Sequence, residues 1–410
     1  MPAGQLKIAM LSVHSCPTRR LGGKDTGGMS VYIRELAREL GRRGHWVDVY
    51  TRAHDPMDDQ IVDLGENARL IHLEAGGVQD IHKLVVYSYL ADLLCELESF
   101  AERSGLQYDL IHSHYWLSGW LGRCIQRSWD VPHITMFHTL GAVKNTIGMG
   151  EDEPELRIRA EKELAKDCHR IIAATEKEKE DLIRYYDASP ETIGVIPCGV
   201  NLDLFRPVDK GIARRQLGFD DDSIILFVGR IDPLKGIDRL LMAMTYLDGR
   251  QGPRLVVVGG DDDSEAELER LQELSQELHI QDSVTFVGPV GQEELPCYYS
   301  AAHVCVIPSY HESFGLVALE SLACGTPVVA AGVGGIEAVV RQGETGYVLK
   351  DNAPLRLADG IAALLSKPDA GTQSVSSTRA SVLGFGWANI AEAIIEEYRQ
   401  VLGNHVARAC

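Results

Sequence analysis

Several short stretches of this chain combine cations, carboxylates, glycines and histidines at spacings that suit the handling of a phosphorylated ligand. In Phe227-Val-Gly-Arg-Ile-Asp-Pro-Leu-Lys-Gly236, Gly229 ends an apolar run, and Arg230 and Lys235 follow it. Arginine offers a planar fork of donors and lysine a point charge, a pair suited to a diphosphate. In His311-Glu-Ser-Phe-Gly-Leu-Val-Ala-Leu-Glu320, the pattern puts Glu312 in a loop and Glu320 inside a helix that starts near Phe314. An ionised carboxylate only accepts hydrogen bonds, so both acids suit the hydroxyls of a sugar. The backbone N–H groups of Ser313, Phe314, Gly315 and Leu316 stand at that helix start, where a phosphate or a developing anion is favoured. A glycine-rich loop, Gly22-Gly-Lys-Asp-Thr-Gly27-Gly28, opens another helix and lets a ligand approach the backbone closely. Its spacing is not that of a dinucleotide fingerprint, so a nicotinamide cofactor is weakly supported. Two histidine-bearing stretches, Leu110-Ile-His-Ser-His-Tyr-Trp116 and Met136-Phe-His-Thr-Leu-Gly-Ala-Val-Lys144, end apolar runs, and His138 could donate to a hydroxyl or a carbonyl. No Asp-x-His spacing suggests a metal, and no nucleophile motif appears. Taken singly, each stretch has a plainer reading: a flexible loop, a solvated cation pair, a helix-capping acid, a structural histidine.

These residues need elements to position them. Apolar runs at 7–13, 46–50, 110–112, 133–136 and 170–173 alternate with helix-length segments, the first of them over 31–40. A second series begins at 224–228 and continues through 255–258, 284–287, 303–307 and 327–330. Strand–helix alternation of this kind predicts parallel sheets covered by helices on both faces. The turn-rich stretch around residue 205 separates the two series. The expected fold class is therefore α/β, with two doubly wound Rossmann-like domains, at 1–205 and 206–385, and a terminal segment at 386–410. Residues 367–377, rich in Pro, Ser and Thr, read as a loop, and 387–402 as a final helix with Ile390, Ala393, Ile394 and Tyr398 at helical spacing. Ligands of such sheets bind beyond the carboxyl ends of the strands, so the cleft between the domains is the expected site.

Composition narrows the functions further. The chain has 410 residues and a formal net charge of −19, from 59 acidic and 40 basic side chains. Such a field gives no reason to track nucleic acid or an anionic membrane, and any phosphate site must be built locally. No apolar run approaches the ~20 residues of a membrane span, and the first residues lack the apolar region of a signal peptide. The nine cysteines are scattered without a Cys-x-x-Cys pair. A reduced, cytoplasmic protein is the expectation.

Thr26-Gly-Gly-Met-Ser-Val-Tyr32, His138-Thr139, Gly229–Gly236 and the Glu312/Glu320 pair, in that order, resemble the retaining family-4 glycosyltransferases of the GT-B fold. Cys324-Gly-Thr-Pro-Val-Val329 and Gly343-Glu-Thr-Gly-Tyr347 match the closing pattern of that family, so the resemblance spans nearly the whole chain. It implies a hexosyltransferase that uses a nucleotide sugar as co-substrate, most often a UDP-hexose, and requires no metal. The donor would lie mainly on the second domain and a small-molecule acceptor on the first, with the last helix crossing back to the first. Carried over by position, Arg230 and Lys235 would hold the diphosphate, with the backbone of Gly27 and Gly28. Glu320 would take the ribose, and Glu312 the transferred sugar. The amides from Ser313 to Leu316 would meet its hydroxyls or the phosphate, and Val290 would meet the base through backbone atoms. His138, Arg230, Lys235 and Glu312 are the expected catalytic group.

Within the family the chain looks most like the D-inositol 3-phosphate glycosyltransferases of mycothiol synthesis, with sucrose and sucrose-phosphate synthases as relatives. There a Lys, a Tyr, a Thr and an Arg hold the acceptor phosphate; the matching positions are Lys83, Tyr115, Thr139 and either Arg157 or Arg159. Ser30 is a departure, since those enzymes carry Asn there. A UDP-N-acetylglucosamine 2-epimerase, a silent sugar-nucleotide binding module and a homodimeric state stay open at the level of sequence.

Overall fold

The computed structural model describes residues 4–409 except 20–26, 150–151, 220–222, 248–251, 262–263 and 367–370. Most of the glycine-rich loop, Gly22 to Thr26, thus lies outside the described residues. Two sheets organise the rest. The first contains β1 (Lys7–Leu11), β2 (Trp46–Arg52), β3 (Ile61–Gly65), β4 (Ala68–Leu73), β5 (Leu110–His114), β6 (His133–Met136), β7 (Arg170–Ala173) and β8 (Ile193–Val195), in the order 3-4-2-1-5-6-7-8. All its pairings are parallel except β3 with β4. The second contains β9 (Ile224–Val228), β10 (Arg254–Val258), β11 (Val284–Gly288), β12 (Val304–Ile307), β13 (Val328–Ala331) and β14 (Gly346–Leu349), in the order 11-10-9-12-13-14, all parallel. Strand order reverses direction between β1 and β5 and between β9 and β12. Each reversal opens a crevice at the carboxyl ends of the strands, where the following loops diverge. The crevices face each other across one cleft.

The interior strands are apolar because helices cover both faces. Ile8, Met10, Val47 and Val49 are fully buried on one face of the first sheet, against Ile33, Leu36 and Leu40 of the helix Gly28–Arg42. Those residues recur at helical spacing, and each fully buried Leu or Ile contributes roughly 1.5–3 kcal/mol. The final helix, Trp387–Ala409, joins the same cluster through Ile390, Ile394, Ile395 and Tyr398. It runs past the expected end at 402, and Ala393 faces solvent while Ile395 is buried. Its polar links also reach the first domain. Arg170 Nε and Nη2 donate to Glu397 at 2.6 and 2.9 Å, and the Tyr398 hydroxyl lies 2.7 Å from His112 Nδ1.

The chain passes from the first sheet to the second after β8 and returns just before Trp387. The two passages touch, with the Val200 amide donating to Phe385 O at 2.9 Å. Of the loop expected at 367–377, residues 367–370 lie outside the described residues, and the rest departs from expectation, since Gly371–Ala380 is helical. Polar composition suggested a loop, but tertiary anchoring prevails: Arg379 donates to the carbonyls of Leu202, Phe205 and Ala323 at 2.8, 2.6 and 2.7 Å, and Thr378 is buried. No described helix is long and apolar enough to cross a membrane.

Candidate active site

The interdomain cleft encloses about 420 Å³ and is lined from both domains. Its second-domain wall begins at the end of β9, where Arg230 and Lys235 both face the opening. Arg230 Nη2 lies 3.7 Å from Asp232 Oδ2, and Lys235 Nζ donates to Glu312 Oε1 at 2.5 Å. Glu312 follows β12 and also accepts from Ser309 Oγ at 2.9 Å. Burial opposes ionisation of Glu312, but the adjacent Lys235 ammonium holds its carboxyl below the ordinary glutamate value.

The helix after this loop is Leu316–Ala323, two residues later than the sequence suggests. Gly315 caps it at φ +94°, and a Cβ there would lie 2.9 Å from Ile336 Cγ1, so the turn requires glycine. The first amides of the helix have no partner within it and open on the cleft. Glu320, one turn on, accepts from the Tyr299 hydroxyl at 2.8 Å. Burial pushes its carboxyl up to about 7, against the hydrogen bonds from Tyr299 and Gln292. Opposite, Gly28 starts its helix so near Leu316 that a Cβ would stand 3.0 Å from Leu316 Cδ1. Here the backbone of the first domain packs on a side chain of the second. Val290, Ser313 and Phe314 complete this wall, and Gly27 faces it from the first domain.

The first-domain wall carries a separate cation group. Lys83, Lys144 and Arg157 all line the cleft and converge on Glu153, which does not line it. Arg157 Nη1 lies 2.8 Å and Lys83 Nζ 3.7 Å from Glu153 Oε1, and the Lys144 ammonium donates to the same oxygen. Burial opposes ionisation of Glu153, yet Arg157, Lys144 and Lys83 bring its carboxyl down to about 2. Arg157 is further fixed by Glu161 Oε1 at 2.7 Å and by Thr139, whose carbonyl and hydroxyl accept at 2.8 and 2.9 Å. Its guanidinium carbon sits 4.7 Å over the Tyr115 ring, which in turn stacks on His14 at 4.2 Å. Three cations against Glu153 and Glu161 leave a net positive charge facing the cleft.

His138 stands between the two walls with φ +61°, held by a 2.9 Å contact between its Nε2 and His114 Nδ1. Burial lowers its pKa to about 3, so the ring is neutral and serves as a hydrogen-bonding group rather than a cation.

The structure thus gathers every expected site residue in one cleft with one exception. Arg159 is 74% exposed and pairs with Glu155 on the outer face of the helix Glu155–Asp167. Arg157, 1% exposed, is the arginine of the pocket, because residues two apart point to different faces of a helix. Arg159→Ala is expected to leave every kinetic constant within twofold of wild type; a larger change in acceptor Michaelis constant would contradict this placement. Sequence reasoning missed His14, Lys144 and Glu153. His14 and Lys144 follow strand ends, a usable signal, whereas Glu153 sits in a run of acids with nothing to distinguish it.

Comparison with known proteins agrees with this arrangement. Residues 26–204 match the family model Glycosyltransferase Family 4, and residues 209–380 match Glycosyl transferases group 1. The chain is 40% identical to a D-inositol 3-phosphate glycosyltransferase of Streptomyces scabiei, covering 97% of this chain and 92% of the relative. It is 41% identical to D-inositol 3-phosphate glycosyltransferase 2 of Catenulispora acidiphila, over 96% and 94%. Among solved structures, sucrose-phosphate synthase from Thermosynechococcus elongatus superposes with a TM-score of 0.90 at 36% identity, covering 98% of this chain and all of that one. Anabaena HepE in complex with UDP and glucose shares the fold, with a TM-score of 0.77 at 20% identity over 96% of this chain and all of that one. With both Rossmann-like domains matched and relatives this similar over nearly their whole length, the chain belongs to the family-4 glycosyltransferases of the GT-B fold.

Proposed function

We propose that the protein transfers a hexosyl unit, glucose or N-acetylglucosamine, from a UDP-sugar to a small phosphorylated polyol or sugar, with retention at the anomeric carbon. One observation carries this reading: two separate cation groups face each other across one cleft in a chain of net charge −19. One group suits a diphosphate and the other a phosphate monoester. The names of the relatives, which point to an inositol phosphate and to a sucrose phosphate, support a phosphorylated acceptor.

In the reaction the bond between the anomeric carbon and the diphosphate oxygen breaks, and a bond to the acceptor oxygen forms on the same face. The acceptor proton passes to the departing phosphate oxygen. Positive charge develops on the sugar and negative charge on the diphosphate. Arg230, Lys235 and the amides at Phe314–Leu316 meet the latter, so the cleft needs no metal for it. Glu312 accepts from sugar hydroxyls, and neutral His138 donates or accepts beside the reacting carbon. Val290 offers backbone atoms to the base.

A second reading, transfer to a ketohexose phosphate as in sucrose-phosphate synthase, rests on the TM-score of 0.90. A matrix of UDP-glucose and UDP-N-acetylglucosamine against inositol phosphate, fructose 6-phosphate and fructose, read as released UDP, separates the two. UDP release that ignores the acceptor, or isomerisation at C2 of the donor, would sink transfer altogether.

Glu320 supplies a pH test. An ionised carboxylate accepts from ribose hydroxyls at both oxygens, which the neutral acid does less well, and burial pushes this carboxyl up to about 7. The donor Michaelis constant is expected to rise about tenfold per pH unit on the acid side of that value and to level off above it. Glu320→Gln should remove the dependence. A flat wild-type profile across neutrality would take Glu320 out of ribose recognition.

A further inference from the structure

A second set of chemistry-bearing side chains lies at the edge of the first sheet and plays no part in the transfer reaction. Cys16 lies beyond β1, His54 just beyond β2, and His72 within β4. Among the described residues these three converge: one ligand atom from each, a thiol sulfur and two ring nitrogens, lie within 4.8 Å of one another. Cys16 and His72 are buried and His54 half-buried. His72 Nδ1 is 2.6 Å from the carbonyl oxygen of Asp59. A carbonyl only accepts, so Nδ1 carries the proton and Nε2 turns its lone pair toward Cys16 Sγ, 3.6 Å away. An outer carbonyl that fixes the ring in this way is the usual partner of a metal-binding histidine. His54 Nδ1 lies 2.9 Å from Asp58 Oδ2 but forms no hydrogen bond, so the His54 ring is left with an unsatisfied buried nitrogen beside the cluster. Asp58 is itself held by the amides of His54 and Asp55 at 3.1 and 3.0 Å.

We propose that Cys16, His54 and His72 bind a soft divalent cation of the zinc class, at a site separate from the donor wall of the cleft. Bonds of about 2.3 Å to sulfur and ~2.0 Å to nitrogen at a tetrahedral angle hold the two ligand atoms about 3.5 Å apart. The observed separation of 3.6 Å matches that edge before any ion is considered. One thiolate and two imidazoles select zinc-like ions over magnesium or calcium, which demand oxygen ligands. A small cavity of about 20 Å³, large enough for one water, adjoins Cys16 and His54 and is also lined by Arg19, Thr51, Arg52 and Asp80. The ion ties the segment after β1 to β2 and β4. That segment also carries His14, two residues before Cys16, into the transfer cleft.

The plainer account is a thiol that donates to Nε2 with no ion, and cobalt titration decides between them. The full chain, reduced and stripped with chelator, is titrated with Co²⁺ alone. The expected result is saturation at one equivalent, with a thiolate-to-cobalt charge-transfer band in the near ultraviolet and the strong visible bands of a four-coordinate ion. Cys16→Ser abolishes the charge-transfer band. Substitution at a buried cysteine endangers the fold, so His54→Asn, at the half-buried position, is the second variant. Its circular dichroism should match wild type while its Co²⁺ affinity falls about tenfold or more. A folded wild-type protein with no saturable charge-transfer band, a folded Cys16→Ser variant that keeps the band, or a folded His54→Asn variant of undiminished affinity overturns the proposal.

Discussion

Replacing Lys235 by alanine is expected to lower turnover by a factor of about 10²–10³, the loss typical when one preorganised group facing a developing oxyanion is removed. Lys235 is one of two cations at the end of β9 that face the donor wall, and its ammonium is also the counter-ion of Glu312 at 2.5 Å. The variant therefore loses twice. The leaving diphosphate keeps Arg230 and the helix amides but not the point charge. Glu312, half-buried and left with only the Ser309 hydroxyl, is pushed toward the neutral acid and accepts sugar hydroxyls less well. The effect should fall on kcat more than on UDP affinity, because the charge on the leaving group is largest in the transition state. Steady-state UDP release combined with calorimetric UDP binding measures both. Near-normal turnover in a folded Lys235→Ala variant would sink the electrostatic account of leaving-group departure.

The second large effect is expected on the other wall. Lys83→Ala should raise the Michaelis constant for a phosphorylated acceptor by about 10–100-fold and leave that of the donor unchanged, since a hydrogen bond to a charged group contributes ~1.5–3 kcal/mol. Lys83 is the cleaner probe of this pocket. Arg157 is bonded to Thr139, Glu161 and Glu153, and its removal would leave two buried carboxylates short of a partner. Lys83 lies at the rim of the group, 3.7 Å from Glu153. Equal efficiency with fructose and fructose 6-phosphate, or with inositol and its phosphate, would remove the phosphate from the pocket. Loss of donor affinity in Lys83→Ala would show that the walls are assigned the wrong way round.

How far the sequence led depends on where each signal resides. Strands buried on both faces announce themselves as apolar runs, which is why β1, β2, β5 to β7, β9, β10, β12 and β13 could be read directly; β11, a half-buried edge strand, stands out by its own apolar run. The antiparallel pair β3 and β4 could not, because β3 is a mostly exposed edge strand and the buried β4 is interrupted by Arg69 and His72; their mark is the turn at Glu66 and Asn67, with Asn67 at φ +53°. β8 carries only three residues, and β14 is an edge strand that is only partly buried after Gly346, so neither stands out as an apolar run. The donor wall was legible because its cations and carboxylates sit within single contiguous stretches. The acceptor wall is assembled from four segments, and the choice between Arg157 and Arg159 needed the helix face, not the spacing. The trio of Cys16, His54 and His72 lies further out of reach, since its proximity is a product of strand order, and Glu153, although local to Lys144 and Arg157, is lost among neighbouring acids.

The helix Trp387–Ala409 has a consequence for how the protein is made. It completes the apolar face of the first sheet, yet the last strand of that sheet ends at Val195 and the whole second sheet intervenes. A ribosome delivers residues in order, so the first domain emerges long before the helix that packs on Tyr32 and Arg43 has been synthesised. Until then that face is exposed, and the second domain can finish folding earlier than the first. A nascent chain released before Trp387 would retain both catalytic walls in sequence while lacking the cover of one of them, making it a substrate for chaperones and proteases rather than a smaller enzyme.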